Sequence, residues 1–229
     1  MLGSPLITQI IERFGDKVAV AFSGGHCSLV ILHMAWQIDP HIKVVFHDTT
    51  NEYPETVEFV RRVAGDWNLN LTVTKPEKTW AECYKQYGPP GLRGQGKHRT
   101  PRCCYWLKEK PAKLYYRQHG IECALDGIRM EESWQRYCFG KQFGPLHYSK
   151  RWGMWKAHPI LHWIGEDLQE YIRIHNLPQN PMYARGLRRI GCRGCTAFIG
   201  WERVMVRQSP KLYSWVQQLK GQRILEGAT

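Results

Sequence analysis

Val18-Ala19-Val20-Ala21-Phe22-Ser23-Gly24-Gly25-His26-Cys27-Ser28 decides the fold of this 229-residue chain. An apolar run over residues 17–22 ends in a serine and two glycines, and a helical pattern follows over residues 29–38. That order reads as a buried strand, a tight turn and a helix. At such a turn the free N–H groups of the helix point outward and its dipole favours an anion. Glycines allow close backbone approach there. Ser23 and Ser28 carry hydroxyls suited to phosphate oxygens. No Gly-Lys-Ser/Thr follows, so this is not a Walker loop. Taken by itself, the segment also fits an ordinary strand-to-helix turn.

Working outward, residues 5–14 have helical apolar spacing, and residues 43–47, 69–74 and 122–125 read as further short strands. Residues 54–67 read as a helix with Pro54 in its first turn. Strands alternating with helices imply an α/β fold, a parallel sheet with helices on both faces. Ligands of such sheets bind beyond the carboxyl ends of the strands. Asp48 and Thr49 follow the second strand, and Gly127, Arg129, Ser133 and Arg136 follow the fourth, so all are expected at one rim with Ser23, Gly24, Gly25, His26 and Ser28. Residues 88–102 read as a long basic loop, residues 137–157 as an irregular excursion or short hairpin, and residues 210–219 as a terminal helix.

Four of the eight cysteines form two tight pairs, Cys103-Cys104 and Cys192-Arg193-Gly194-Cys195. Four thiolates suit zinc or an iron–sulfur cluster. Adjacent cysteines are awkward for one tetrahedral zinc, whereas a four-iron cluster is wide enough for neighbours to reach different irons. Arg99, Arg102, Arg188, Arg189 and Arg193 flank the pairs, and positive neighbours stabilise an anionic thiolate cluster. Cys83, Cys123 and Cys138 read as structural, His33 and His41 as core or surface. His158 and His162 are poor metal partners because Pro159 interrupts a helix between them.

A formal charge of +12 calls for an anionic partner such as a nucleotide or a nucleic acid. Basic residues cluster at Arg93, Lys97, His98, Arg99 and Arg102, at Lys150, Arg151 and Lys156, and at Arg185, Arg188, Arg189 and Arg193. Tyr148, Trp152 and Trp155 interleave with the second group, as in single-strand binders, although a basic surface kept for solubility also fits. No stretch approaches the ~20 apolar residues a bilayer requires. The first residues lack a secretory pattern, and cysteine usage suits a reducing, cytoplasmic setting.

Taken together, these segments resemble the phosphoadenosine phosphosulfate reductase family, a branch of the adenine nucleotide alpha hydrolase-like enzymes. The matching pieces are Ser23-Gly24-Gly25-x-x-Ser28, Asp48-Thr49 with Pro54-Glu55-Thr56, and Thr100-Pro101-Arg102-Cys103-Cys104 with Lys108 and Pro111. Further pieces are Gly127-x-Arg129-x-x-Glu132-Ser133-x-x-Arg136, Pro159-Ile160, and Pro178-x-x-Pro181-x-Tyr183-x-x-Gly186-x-x-Arg189-Ile190-Gly191-Cys192-x-x-Cys195. The resemblance implies a Rossmann-like sheet, an ATP or related adenine nucleotide with Mg2+ as an accompanying ion, and a [4Fe-4S] cluster on Cys103, Cys104, Cys192 and Cys195. It divides the chain into a nucleotide-binding domain at 1–180 and a segment at 181–229 that completes the cysteine site and ends in a helix.

Two departures bear on activity. Reductases of the family carry a nucleophilic cysteine near the C-terminus, and no cysteine follows Cys195 here. ATP-cleaving relatives have Lys-Asp where this chain has His26-Cys27. His26 then partly replaces the lysine charge, and Cys27, at a helix N-terminus, becomes a candidate nucleophile; Cys27, His26 and Arg129 are the candidate catalytic residues. The competing reading is a small neutral substitution, because the helix effect is only ~0.3–1 kcal/mol in exposed sites. The leading expectation is therefore ATP-dependent sulfur transfer onto a nucleic acid, tRNA or DNA, with a sulfur or electron donor protein. The alternatives are reduction of adenosine 5'-phosphosulfate or its 3'-phosphorylated form, and a nucleotide or nucleic-acid binding protein that has lost catalysis.

Overall fold

The structure, a computed structural model, describes residues 4–91 and 101–226. Chain order is α1 (Ser4–Phe14), β1 (Val18–Ala21), α2 (His26–Ile38), β2 (Lys43–His47), α3 (Pro54–Asp66), β3 (Asn70–Thr74) and α4 (Trp80–Tyr87). Then come α5 (Arg102–Cys104), a π-helical turn (Tyr105–Glu109), α6 (Lys110–Gln118), β4 (Cys123–Leu125), α7 (Trp134–Phe143), β5 (Leu146–Ser149) and β6 (Met154–Ala157). The chain closes with α8 (Gly165–Ile174), α9 (Pro181–Ala184), α10 (Trp201–Gln208) and α11 (Pro210–Glu226).

Six strands form one sheet in the order β3-β2-β1-β4-β6-β5. β1 pairs in parallel with β2 and β4, β4 pairs in parallel with β6, and β5 runs antiparallel at the edge. The strands are short and apolar because both faces are covered. Val18, Ala19 and Val20 of β1 and all of β4 are buried. The main core joins Ile7 and Ile10 of α1, Leu29 to Leu32 of α2, Phe59 and Val63 of α3 and Ile172 of α8 to the strands. The sheet reverses its winding between β1 and β4, where such folds place their ligands.

The expected α/β architecture stands, and the first four strands fall where the pattern puts them. Over 137–157, expected as an irregular excursion or short hairpin, α7 covers the first part and a hairpin, β5–β6, adds two strands to the sheet. Aromatic and basic residues blurred the period there, because Tyr148 and Trp155 pack ring to ring across the hairpin. The terminal helix is longer than 210–219, reaching Glu226, and α10 precedes it. The basic residues Arg93, Lys97, His98 and Arg99 lie outside the described residues.

Two compact units interleave along the chain. The first comprises residues 1–46, 55–73 and 113–190; the second comprises 47–54, 74–112 and 191–229. The second has its own small core, Trp80, Cys83, Tyr84, Cys103, Leu107, Met205 and Val216.

Candidate functional site

In the first unit the chain leaves β1 and turns into α2 through a loop fixed by its own hydroxyls. Ser28 Oγ donates to Gly25 O (2.9 Å) and accepts from Ser23 N–H (3.2 Å), and Ser23 Oγ lies 3.0 Å from it. The two serines therefore order the turn. Gly24 sits at φ +75, a region that favours glycine, and its carbonyl accepts from buried Asn180 Nδ2 (3.1 Å). The same amide donates to Thr56 Oγ1 (3.0 Å), tying α3 and α9 to the loop.

The segment after β4 closes against the start of α2. A Cβ on Gly127 would fall 2.7 Å from Cys27, so only glycine fits. Cys27 is half-buried, and its Sγ accepts from Arg129 Nε (3.4 Å). Arg129 is buried and also donates to Glu131 (2.6 Å) and to the Trp163 carbonyl (3.3 Å). Glu132 accepts from Arg129 N–H (3.2 Å) and pairs with Arg136, the arginine-orienting role its place in the motif suggests. Desolvation and the nearby Arg189 guanidinium both push Arg136 below its ordinary value. Two cations drawn together favour an anion between them.

His26 replaces a fixed charge with a titratable one. Burial holds its imidazole below its usual value. The ring stacks on Tyr183 at 3.6 Å between centroids, with Gln169 Nε2 3.4 Å from Nδ1. Asp126, at the end of β4, turns inward. Burial opposes its charge, but His158 Nδ1 (2.5 Å) and Lys156 Nζ (3.2 Å) hold its carboxyl well below the usual range. His158 thus serves a buried carboxylate rather than a metal shared with His162.

In the second unit the four pair-forming cysteines come together. Cys103 is pushed up by its hydrogen bond with Cys104, by burial and by the sulfurs of Cys192 and Cys195. Desolvation raises Cys192 to about 12 against the opposing pull of Lys108. The Lys108 ammonium is raised by Cys192 first; desolvation opposes this, and Glu52, Cys104 and Cys195 add to the rise. Its side chain is partly exposed. Glu52 Oε1 accepts from Thr49 Oγ1 (2.8 Å) and lies 3.8 Å from Cys192 Sγ and 3.9 Å from Lys108 Nζ. Thr49 Oγ1 is itself 3.4 Å from Cys192 Sγ. Thr49, expected at the nucleotide, therefore packs with the cysteines, while Asp48 accepts from the Thr50 N–H (2.8 Å) in its own turn.

The Cys192–Cys195 turn rests on residues that spacing did not reveal. Arg193 N–H donates to Asn51 O (2.7 Å), and Tyr84 Oη donates to Gly194 O (2.6 Å). The Asn51 amide oxygen, facing Trp80 Nε1 (3.2 Å) and Gly194 N–H (3.1 Å), accepts from both. A Cβ on Gly194 would fall 2.2 Å from the Trp80 ring. The one sequence signal nearby is Thr79-x-x-Glu82, a capping box that starts the helix carrying Trp80 and Tyr84. Among the described residues no group of three or more His, Cys, Asp or Glu is arranged to hold a metal ion. The donor set is Cys104, Cys192 and Cys195 acting on the Lys108 ammonium, with Cys103 bonded to Cys104, a chemistry that fits a larger anionic thiolate-ligated group.

Other expectations change. Cys83 and Cys123 are buried as structural residues, but Cys138 is exposed on α7 because its helix turns that face outward. The aromatic faces of the basic patch are occupied from within: Lys113 and Lys156 lie over Trp152, and Arg13 lies over Trp155. Tyr148 alone of the three is exposed. Among the described residues, no helix is long and apolar enough to cross a membrane.

A mostly parallel sheet whose first strand feeds a helix through a glycine turn defines an α/β protein of the Rossmann-like class. The chain belongs to the phosphoadenosine phosphosulfate reductase family, whose domain matches residues 17–198. It is 30% identical to a protein of Lysinibacillus sphaericus named adenosine 5'-phosphosulfate reductase, over 81% of this chain and 76% of that one. A protein of the same name from Halalkalibacterium halodurans is also 30% identical, over 83% and 79%. An uncharacterized protein of Methanocaldococcus jannaschii matches 94% of this chain at 30% identity, and the chain spans about half its length. Among solved structures, a phosphoadenylyl-sulfate reductase from Candida auris in complex with phosphate superposes with TM-score 0.65 at 22% identity, covering 84% of this chain and 88% of that one. Candida glabrata FMN adenylyltransferase shares the fold at TM-score 0.60 and 16% identity, over 83% and 60%.

Proposed function

We propose that this protein is a sulfonucleotide reductase that takes adenosine 5'-phosphosulfate to AMP and sulfite. The observation that carries this reading is the likeness, over four-fifths of the chain, to proteins named for that activity. It favours reduction over ATP-dependent thiolation of a nucleic acid, the leading expectation from the residues. The occupied tryptophan faces of the basic patch point the same way.

In this reading the α2 N-terminus and the loop of Ser23, Gly24, Gly25, His26 and Ser28 receive the nucleotide phosphate, with Gly127 shaping the adjoining wall. Arg136, with Arg189 nearby, receives the sulfate end. Arg129 positions Cys27 and the turn after β4 and does not itself touch substrate. The reaction is a two-electron reduction. A thiol attacks the sulfate sulfur, the S–O bond to AMP breaks and AMP leaves with the electron pair. A second thiol then releases sulfite as a disulfide forms. Two sources of the first thiol are candidates, Cys27 and an external dithiol.

Cys103, Cys104, Cys192 and Cys195 would hold the [4Fe-4S] cluster that the family resemblance implies. Such a group, when bound, supplies a polarising charge and a redox-active centre. Lys108 offsets thiolate charge at that place, and Glu52 and Thr49 fix Cys192.

The test is anaerobic protein incubated with adenosine 5'-phosphosulfate or its 3'-phosphorylated form and a dithiol. Sulfite and AMP in equal amounts, with the 5'-phosphosulfate preferred, is the expected result. No sulfite from either nucleotide, with AMP formed from ATP only when RNA or DNA is present, would replace this reading with thiolation.

A further inference from the structure

The two loop serines point their hydroxyl protons at each other and at Gly25, so neither has one left for a ligand. Tyr183 stands differently. Its hydroxyl oxygen accepts the His26 backbone N–H at 3.1 Å. That N–H is the first of α2, one of the donors an anion would otherwise take. A Cβ on Gly25 would lie 3.3 Å from the same oxygen, which puts the phenol directly over the loop. A phenol that accepts one N–H still has a proton to give. Among the described residues no group accepts it. The ring is held for the purpose from two sides: His26 stacks on it at 20° between planes, and α9 begins at the Asn180 cap that also grips Gly24 and Thr56. Burial keeps the phenol protonated, above its ordinary value, so the donor survives at neutral and mildly alkaline pH.

We infer that Tyr183 is a substrate-binding residue of the phosphate loop: it takes the first helix N–H on its oxygen and passes a hydroxyl proton to an anionic oxygen of the bound nucleotide. This deepens the reductase reading and rests on it, because it presumes an adenine nucleotide over α2. The residue does more than cap the helix. A cap would be satisfied by the acceptor half of the hydroxyl, whereas recognition uses the donor half.

The experiment compares AMP and adenosine binding by calorimetry to wild type and Tyr183→Phe. Tyr183→Phe keeps the ring and its stack but removes the hydroxyl. AMP binding is expected to weaken about tenfold, as for a lost hydrogen bond to a charged group, while adenosine binding stays unchanged. Equal weakening of both ligands by Tyr183→Phe would make Tyr183 a structural cap and overturn the inference. Tighter AMP binding would show that the hydroxyl competes with the anion and would overturn it with the opposite sign. Wild-type protein that binds neither ligand would remove the nucleotide reading itself, and this inference with it.

Discussion

The phosphate loop and the cysteine turn are both short segments with a close-packed glycine, and they are held in opposite ways. The turn within residues 22–28 is closed by the hydroxyls of its own Ser23 and Ser28, and Asn180, Tyr183 and Arg129 then add bonds from outside. The Cys192–Cys195 turn has one internal backbone bond and is held besides by Thr49, Asn51, Glu52, Trp80 and Tyr84, all over a hundred positions away in sequence. The first is a local motif that carries its geometry with it. The second is a motif of ligands whose geometry is supplied by other segments.

That contrast can be broken most severely at the sulfurs. Cys103→Ser or Cys192→Ser is expected to abolish iron and labile sulfide in anaerobically prepared protein and to stop sulfite release, while AMP binding persists. Loss of AMP binding in either variant would show that the two regions are not separable in function. Next in size is Asp126→Asn. It leaves Lys156 buried against a neutral partner, which costs about 3–5 kcal/mol in comparable buried pairs. Chemical denaturation should show that loss, and a change under 1 kcal/mol would mean the pair is not enclosed in solution.

Gly194 of the turn and Gly127, packed against Cys27 beside the loop, give the direct comparison. Gly194→Ala and Gly127→Ala each force an overpacked contact worth roughly 1–3 kcal/mol. Gly194→Ala should lower iron content and leave nucleotide affinity alone. Gly127→Ala should do the reverse. Matching effects of the two on both readouts would refute the division drawn here.

A smaller effect is confined to the first unit and depends on pH. His33 is buried against Tyr171, and desolvation, helped by His175, lowers it from 6.5 to about 4. The folded state therefore refuses a proton that the unfolded chain accepts. Stability is full above pH 6.5 and falls as pH drops from there toward 4. His33→Gln should flatten the melting temperature over that range; an unchanged slope would assign the acid sensitivity elsewhere. The smallest expected change is in turnover of Cys27→Ser. Cys27 Sγ is already committed to Arg129 and its backbone is clamped by Gly127, so sulfite release should stay close to wild type with an external dithiol. A collapse of turnover would make Cys27 the attacking thiol.

The local motif was legible for the reason just given: strand, glycines and helix are adjacent in sequence, so period and turn chemistry report it. The cysteine pairs were legible as donors because thiols at that spacing have few other uses. Their scaffolding was not. Asn51, Trp80 and Tyr84 look like loop and core residues until the fold brings them to Gly194. Thr49 misled for a related reason: strand-end position argued for the nucleotide, whereas its hydroxyl is taken by Glu52 beside Cys192. The β5–β6 hairpin was legible only as one of two alternatives, because its alternation is masked by aromatic residues that pair across it, and α7 before it was not legible.

The interleaving of the units has a consequence for how the protein is made. Cys103 and Cys104 leave the ribosome roughly 90 residues before Cys192. At 5–20 residues per second that delay is on the order of 5–20 s. For that time a reactive sulfur pair has no counterpart. Cys103 and Cys104 thus stand alone until the last sixth of the chain emerges.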